Sequence, residues 1–585
     1  MPRLPPLPDL DWPDSQNSAA PFARDIGDVY FSGEGLSEKR AVFLGGCGLP
    51  EGWSGRESFT VGELGFGTGL NLLALWDLWR QHRPSPTARL NYLSFEGMLI
   101  GREDASRIHA AWPELADLAQ QLRAHWPNRA RGIQRIHLPD NITLTLVIDD
   151  IAASIPQVKA SVDAWFLDGF APSKNPAMWS AETLTHVARL SAVNARASTY
   201  TVAGDVRRSL EAAGFSVAKM PGHGRKKERL EARLIASRPP HLTPPRRVAI
   251  IGAGIAGACT ANAFLRRGCD VTVIDKGPAP GTAASGNPIA LVMPRLDAAD
   301  SATARALVEA WLYARRFYQN LGADAAQPLD ALHLPRGEKE QQRFAKLLAD
   351  PPLDSDILQA SGDGLRHIGA IAVRPANALP RLLDGASFRP NTPINSLADI
   401  DADLIVVCAG IGLVDLDRSA PALAGRLGQV ESMPTSGVPS AIADGGYAVQ
   451  AFDTLVFGAT FEAANGEPQV TDAARLHNLE ILARLRPDVV TTEIASRAAI
   501  RATTQDRMPF AGPAPHNEKA PDGTPAPLSP YRLIGGLGSR GFLWAPLLAE
   551  LVASEAFGDP SPVETSVAEC LEPGRFQARA ARRGR

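Results

Sequence analysis

Two glycine loops, and a set of acids placed after apolar runs, are the residues of this sequence best suited to chemistry. The first loop is Glu63-Leu-Gly65-Phe-Gly67-Thr-Gly69 and the second is Gly252-Ala-Gly254-Ile-Ala-Gly257. Glycines at these spacings let the backbone close on a ligand where a Cβ would clash. Each loop follows a short apolar run and precedes a helical one, so each reads as strand, turn and helix. Beyond the first loop, Glu96 ends the alternating run Leu90-Asn-Tyr-Leu-Ser-Phe-Glu96. Asp149 and Asp150 end Leu144-Thr-Leu-Val-Ile, and Asp168 ends Ala164-Trp-Phe-Leu. The C-terminal ends of strands in a doubly wound sheet line its ligand crevice. One acid there is as easily a solvated strand end. Four in order (Glu63, Glu96, Asp150 and Asp168) describe a site.

A glycine loop alone suits a dinucleotide as well as other nucleotides. The pattern E-x-G-x-G-x-G resembles motif I of class I S-adenosylmethionine (SAM)-dependent methyltransferases. In that setting Glu63 orders the loop or bonds the ligand's cationic amino group, while Gly65, Gly67 and Gly69 admit the ligand. Glu96 is placed to accept both ribose hydroxyls. One of the acids at 149–150, with Asp150 favoured, accepts from the adenine amino group. Asp168 lies where the methyl acceptor sits, and a carboxylate there can hold an amine and take or relay its proton. Further stretches join the comparison: Asp28-Val-Tyr-Phe-Ser32, Glu38-Lys-Arg-Ala-Val-Phe-Leu44, and Asp168-Gly-Phe-Ala-Pro followed by Asn175-Pro-Ala-Met-Trp179. Together with the loop they resemble the methyltransferase half of the bifunctional tRNA 5-methylaminomethyl-2-thiouridine biosynthesis proteins.

The second loop is the more specific signal. It follows Arg247-Val-Ala-Ile-Ile and precedes a helix of small residues, then a second strand that ends in Asp275 and Lys276. Gly252 makes the turn, Gly254 admits a pyrophosphate, Gly257 lets helix and sheet pack closely, and Asp275 stands at the ribose position. The fingerprint leaves NAD and FAD open. The remainder resembles glycine-oxidase-like FAD enzymes. Ser285, in Gly281-Thr-Ala-Ala-Ser285-Gly-Asn-Pro288, matches the loop that passes the flavin. Ala409 and Gly410 match a later FAD contact. Gly538 and Gly541 match the closing glycine turn and helix. In Arg501-Ala-Thr-Thr-Gln-Asp506-Arg-Met-Pro509, Arg501 aligns with the arginine that grips the substrate carboxylate, a task that suits a guanidinium fork. Arg497 is a neighbour able to share that role. No general base is identified.

These residues require two α/β bodies. The expected fold is a class I methyltransferase Rossmann-like domain, followed by an FAD-binding Rossmann domain with an interleaved α+β substrate domain of glycine-oxidase type. A run of prolines after Arg238 resists helix and sheet alike. It sets the expected boundaries: a methyltransferase domain at 1–237, a linker at 238–246, an oxidoreductase domain at 247–565, and a frayed basic tail at 566–585. The length of 585 residues and 45% hydrophobic content supply enough material for large cores. A net charge of −3 rules out a globally basic nucleic-acid binder and leaves local patches. Candidates are Arg225, Lys226, Lys227 and Arg229, and Arg579, Arg582, Arg583 and Arg585, although charge runs are also simply solvated faces. Five scattered cysteines have neither metal nor redox spacing. No metal, membrane span, signal peptide or obligate protein partner is expected, and the expected setting is the cytoplasm.

The resemblance implies a sequential pathway on the anticodon wobble uridine of tRNA. FAD-dependent oxidation would remove a carboxymethyl group from a carboxymethylaminomethyl substituent. SAM-dependent methylation of the resulting amine would follow. Two other classes stay open: a fused enzyme acting on a free small amine or amino acid, and a tRNA-binding scaffold in which one half has lost catalysis.

Overall fold

A computed structural model describes residues 3–12, 20–31, 35–224, 226–235, 243–417, 419–464, 466–515 and 531–582. The chain forms two compact units, 1–242 with 558–565, and 243–557 with 566–585. Residues 238–242 of the expected linker lie outside the described residues, and a new strand begins at Arg247.

The first unit is built on an eight-stranded sheet. In spatial order its strands are Phe215–Pro221, Glu228–Leu234, Ser191–Thr199, Val162–Leu167, Ser58–Leu64, Arg89–Glu96, Ile142–Ile148 and Gly132–Leu138. The five from Ser191–Thr199 through Ile142–Ile148 run parallel. Ser58–Leu64 lies between two parallel partners and is buried from its second residue onward. That placement explains its apolar run, because a strand covered on both faces has no solvent side to alternate. The helix Leu70–His82 buries Leu72, Leu73, Leu75, Trp76 and Trp79, and carries Arg80 and His82 in its last turn, where cations suit the helix dipole. This is the class I methyltransferase arrangement.

The second unit holds two sheets. In the first, the strands Ser387–Arg389, Asp270–Ile274, Arg247–Ile251, Leu404–Val407 and Tyr531–Gly535 run parallel, with Phe510–Pro513 antiparallel at the edge. The helix Gly541–Phe557 packs on the helix Ile255–Leu265 that follows the second glycine loop. Its buried Glu550 accepts from Arg266 at 2.8 Å and Arg267 at 2.7 Å. The other sheet is ten-stranded and mostly antiparallel, and includes Ala326–His333, Gly364–Val373 and Ala424–Pro434, with Ala495–Thr503 paired to the last. This is a Rossmann domain with an interleaved α+β domain.

Two boundaries differ from the expectation. Residues 558–565 belong to the first unit. Asp559 is buried there and accepts from Arg89 at 2.9 Å and from Asn91 at 3.2 Å, while Thr565 bonds the Gln157 carbonyl at 2.8 Å. A buried carboxylate requires such partners, and partners 470 residues away leave no local signature. The tail is also not frayed over its described part. It forms the helices Thr565–Leu571 and Arg575–Arg582, and buried Arg575 forks Asp506 with two bonds of 3.0 Å.

Candidate active sites

The parallel strands of the first unit bring their C-terminal ends to one edge of the sheet. Glu63 sits beside Ser94 and Phe166 in register, and Asp168 follows the strand Val162–Leu167 directly. Asn71, in the first turn of the helix Leu70–His82, links the two acids: its Nδ2 donates to Glu63 at 2.8 Å and to Asp168 at 2.7 Å. Ser94 donates to the other Glu63 oxygen at 2.6 Å. Burial nevertheless pushes the Glu63 carboxyl up to about 8, and nearby Asp168 adds to the rise. Burial also raises Asp168, while Lys39, 2.5 Å away, pulls it down.

The loop itself is held from both sides. Gly65, Gly67 and Gly69 all have left-handed backbones, with φ of 92°, 52° and 73°. Glu96 accepts from the Gly67 amide at 2.7 Å and from the Met98 amide at 2.9 Å. Buried His109 bonds the Thr68 carbonyl through Nε2 at 2.8 Å and faces Arg123 through Nδ1 at 3.3 Å. Burial lowers its pKa, so the ring is a neutral brace. The backbone after Asp168 is pinned as well. Asp28 accepts from the Ala171 amide at 2.9 Å, Trp179 donates to the Phe170 carbonyl at 2.8 Å, and Tyr200 to the Gly169 carbonyl at 2.7 Å. Asp28 and Trp179, far apart in sequence, thus serve one loop. Asp150 caps the short helix Ile151–Ser154 by accepting from Ala152 at 2.9 Å and is exposed, whereas Asp149 is buried near Arg131.

SAM fits these residues. Buried Glu63 and the nearly buried Asp168 stand with one buried cation, Lys39 on Asp168, which suits a ligand carrying a sulfonium and an ammonium. Glu96 accepts from the loop through Gly67 and from its own strand end through Met98, and retains acceptor capacity for hydroxyls.

In the second unit a cavity of ≈ 1320 Å³ gathers the other expected residues: Gly252, Gly254, Asp275, Lys276, Ser285, Ala409, Gly410, Arg501, Gly538 and Gly541 all line it. Gly257 does not. It stands where a Cβ would overlap the Gly252 carbonyl oxygen, so it serves the close packing of helix on loop. Asp275 accepts from the Ala253 amide at 2.5 Å and the Gly277 amide at 2.6 Å, leaving two lone-pair positions for ribose hydroxyls. Ser285 accepts from the Ile255 amide at 2.9 Å at the start of the helix. The cavity's size, its glycine walls and this acid fit FAD.

Arg501 and Arg497 take different roles. Arg497 bonds Asn287 at 3.0 Å and the Thr282 and Ala283 carbonyls, which ties down the 282–287 loop. Arg501 lines the cavity, and its guanidinium donates only to the Thr460 carbonyl, at 3.2 Å, among the described residues. Burial lowers its pKa, and partly buried Tyr447 is its neighbour on the cavity wall. Sequence reading missed Tyr447, Lys39 and Asn71. It also missed Arg540, which lies inside the Gly538–Gly541 turn that was read only for its glycines. Arg540 lines the cavity and is lowered to about 10 by burial and by Arg295 and Arg343.

Of the five described residues in the expected phosphate-tracking runs, three are engaged elsewhere. Lys226 bonds Glu38 at 2.8 Å, Arg229 bonds Glu231 at 2.6 Å, and Arg579 bonds Asp506 at 2.6 Å. Lys227 and Arg582 are exposed, and Arg225, Arg583 and Arg585 lie outside the described residues. Among the described residues no group of three or more His, Cys, Asp and Glu side chains is arranged to hold a metal, and no helix is long and apolar enough to cross a membrane.

Comparison with known proteins identifies a family for each unit. Residues 113–235 match the model of an S-adenosyl-L-methionine-dependent methyltransferase family, and 247–555 that of the FAD dependent oxidoreductases. The tRNA 5-methylaminomethyl-2-thiouridine biosynthesis bifunctional protein MnmC of Maricaulis maris (strain MCS10) is 41% identical, over 98% of this chain and 97% of that one. The chain belongs to the MnmC family. A second MnmC, from Caulobacter sp. (strain K31), is 40% identical over 97% of this chain and 98% of its own. The iminodiacetate oxidase of Chelativorans sp. BNC1 superposes with a TM-score of 0.46 at 22% identity, covering 56% of this chain and 99% of that one. As an MnmC-family member the chain is bifunctional, a SAM-dependent methyltransferase joined to an FAD-dependent oxidoreductase, and SAM and FAD are its cofactors.

Proposed function

We propose that the chain modifies the wobble uridine of tRNA in two steps, in the cytoplasm. The oxidoreductase site removes the carboxymethyl group from 5-carboxymethylaminomethyl-(2-thio)uridine, and the methyltransferase site then methylates the amine that remains. When bound, FAD would accept a hydride from the substrate's α-carbon C–H as the amine nitrogen sheds a proton, and SAM would supply the methyl group. The substrate's secondary amine becomes an imine, and water cleaves it to glyoxylate and a primary amine. Arg501 meets the substrate carboxylate as a charge-assisted fork and fixes which carbon is oxidised. Tyr447 walls the same end of the cavity. In the other site Asp168 accepts a hydrogen bond from the primary amine, aims its lone pair, and receives or relays the proton released after attack.

The observation that carries this reading is the pairing, in one chain, of a cavity-facing arginine with no carboxylate partner among the described residues and a nearly buried carboxylate at the acceptor position. The first group suits an N-substituted glycine and the second a primary amine. Binding to tRNA adds phosphate contacts, so affinity falls as salt is raised. The test is nucleoside mass analysis of tRNA carrying carboxymethylaminomethyluridine, incubated with the protein with and without SAM. The expected result is an aminomethyl nucleoside without SAM and a methylaminomethyl nucleoside with it. An untouched nucleoside, together with oxidation of free glycine or sarcosine, would favour the free-amine enzyme instead.

A further inference from the structure

Asp168 takes both its donors on one oxygen. Lys39 Nζ lies 2.5 Å from Oδ2 and Asn71 Nδ2 lies 2.7 Å from the same atom, while Oδ1 has no bond to any described residue. The side chains of Lys39 and Asp168 are only 7% and 12% exposed. At that depth neither charge is stable alone, and each is stable beside the other. Lys39 opens a π-helical turn, Lys39–Gly45, a rare form found often at functional sites. Its neighbour Glu38 is occupied by Lys226 at 2.8 Å, which leaves Lys39 to Asp168.

We propose that Lys39 is a positioning residue for methyl transfer: its ammonium keeps Asp168 ionised and fixed through Oδ2, so that Oδ1 is presented to the acceptor amine. This rests on the reading of Asp168 given above. The amine must attack as R–NH2. Its nitrogen lone pair forms the new N–C bond while the S–C bond breaks and the sulfur keeps that electron pair. The nitrogen then carries a positive charge and sheds one proton to Oδ1 or, through it, to water. The fixed ammonium offsets the pull of the Asp168 carboxylate toward the competing R–NH3+ form, so the lone pair is available nearer neutral pH than it would be beside an unpaired Asp168. The other titratable groups acting on Asp168 are Glu38, Glu63, Tyr92 and Tyr200. A Lys39 variant leaves these residues in place, but Glu63 feels the charge of Asp168 and is itself raised to about 8, so the limb in Lys39→Met is read against Lys39→Arg, in which the cation is kept.

The experiment uses the full chain, labelled SAM and tRNA carrying 5-aminomethyluridine. Methylation is followed against pH for wild type, Lys39→Met, Lys39→Arg and Asp168→Asn, with SAM binding as the check on folding. Lys39→Met is expected to lower kcat at neutral pH by about 10-fold or more, and to move the acid limb of the profile to higher pH. Lys39→Arg is expected to recover most of both. An acid limb in Lys39→Met that coincides with wild type overturns the proposal, even if the rate falls. Should Lys39→Met fail to bind SAM, Lys39→Gln is read against Lys39→Arg on the same profile. Full methylation by Asp168→Asn would instead sink the reading of Asp168 itself. An inactive Asp168→Asn with an unmoved limb in Lys39→Met sinks Lys39 alone.

Discussion

The two sites treat charge in opposite ways. In the methyltransferase site buried Glu63 and nearly buried Asp168 are linked by Asn71, and one buried cation, Lys39, pairs with Asp168. In the oxidoreductase cavity Arg501 and Arg540 are largely buried, and the groups that act on them are a tyrosine and other arginines. Asp506, only five residues past Arg501, is already held by Arg575 and Arg579. With both acids ionised, one site is thus short of positive charge, and the other is short of negative charge. Those shortages match the two forms of the proposed substrate. A carboxymethylamino group carries the carboxylate that the cavity lacks. The primary amine left by its removal carries no carboxylate and needs an acceptor such as Asp168. Polarity alone can therefore order the two reactions.

The sharpest way to break the contrast is Arg501→Ala. Leaving the substrate carboxylate without its partner costs about 3–4 kcal/mol, so kcat/KM for oxidation should fall on the order of 10²–10³-fold. Methylation of aminomethyl-tRNA by the same variant should stay at the wild-type rate. Asp168→Asn should do the reverse, lowering methylation by about 10²-fold or more while oxidation and the yellow colour of bound flavin persist. A variant that damages both activities equally would show that the sites are not distinguished by charge in this way.

Arg575→Ala sharpens the comparison from the outside. Arg575 and Arg579 hold the Asp506 carboxyl down to about 2 from its ordinary 3.8. A folded-state value below the unfolded one gives stability that is present above about pH 4 and lost as the pH falls through about 2. Breaking the fork should cost the oxidoreductase unit about 2 kcal/mol at neutral pH. The deficit should shrink below pH 4 in acid-denaturation curves, as Asp506 becomes protonated in both proteins.

The smallest effect concerns Glu63. With its carboxyl raised to about 8, Glu63 is mostly protonated at pH 7. A cationic ligand favours the ionised form, so SAM binding near neutral pH should release up to one proton. Calorimetry in buffers of different ionisation heat would measure it. The release should vanish in Glu63→Gln and disappear well above pH 8, where Glu63 is already ionised.

How much of this was legible in the sequence follows from how local each feature is. The loops at Gly65–Gly69 and Gly252–Gly257 were readable because strand, turn and helix are contiguous. Glu96 and Asp275 were readable because strand ends face the crevice in this kind of sheet. Lys39 carries no local mark of its role, because its partner Asp168 lies 129 residues on. Asp559 returns to Arg89 across 470 residues, so the domain boundary near it could not be drawn from composition. Arg540 stood inside a motif whose glycines drew attention away from the charge. The basic tail looked solvated because Asp506, the acid that fixes Arg575, is 69 residues away.

The most direct test of the charge contrast is whether the methyltransferase site rejects a substrate that still carries its carboxylate. Arg501→Ala protein would be incubated with SAM and tRNA bearing carboxymethylaminomethyluridine, and the nucleosides analysed by mass. The account predicts an unmodified carboxymethylaminomethyl nucleoside, while aminomethyl-tRNA in the same tube is fully methylated. A methyl group on the carboxymethylated amine would contradict it, because the acid-rich site would then accept the anion it is argued to exclude.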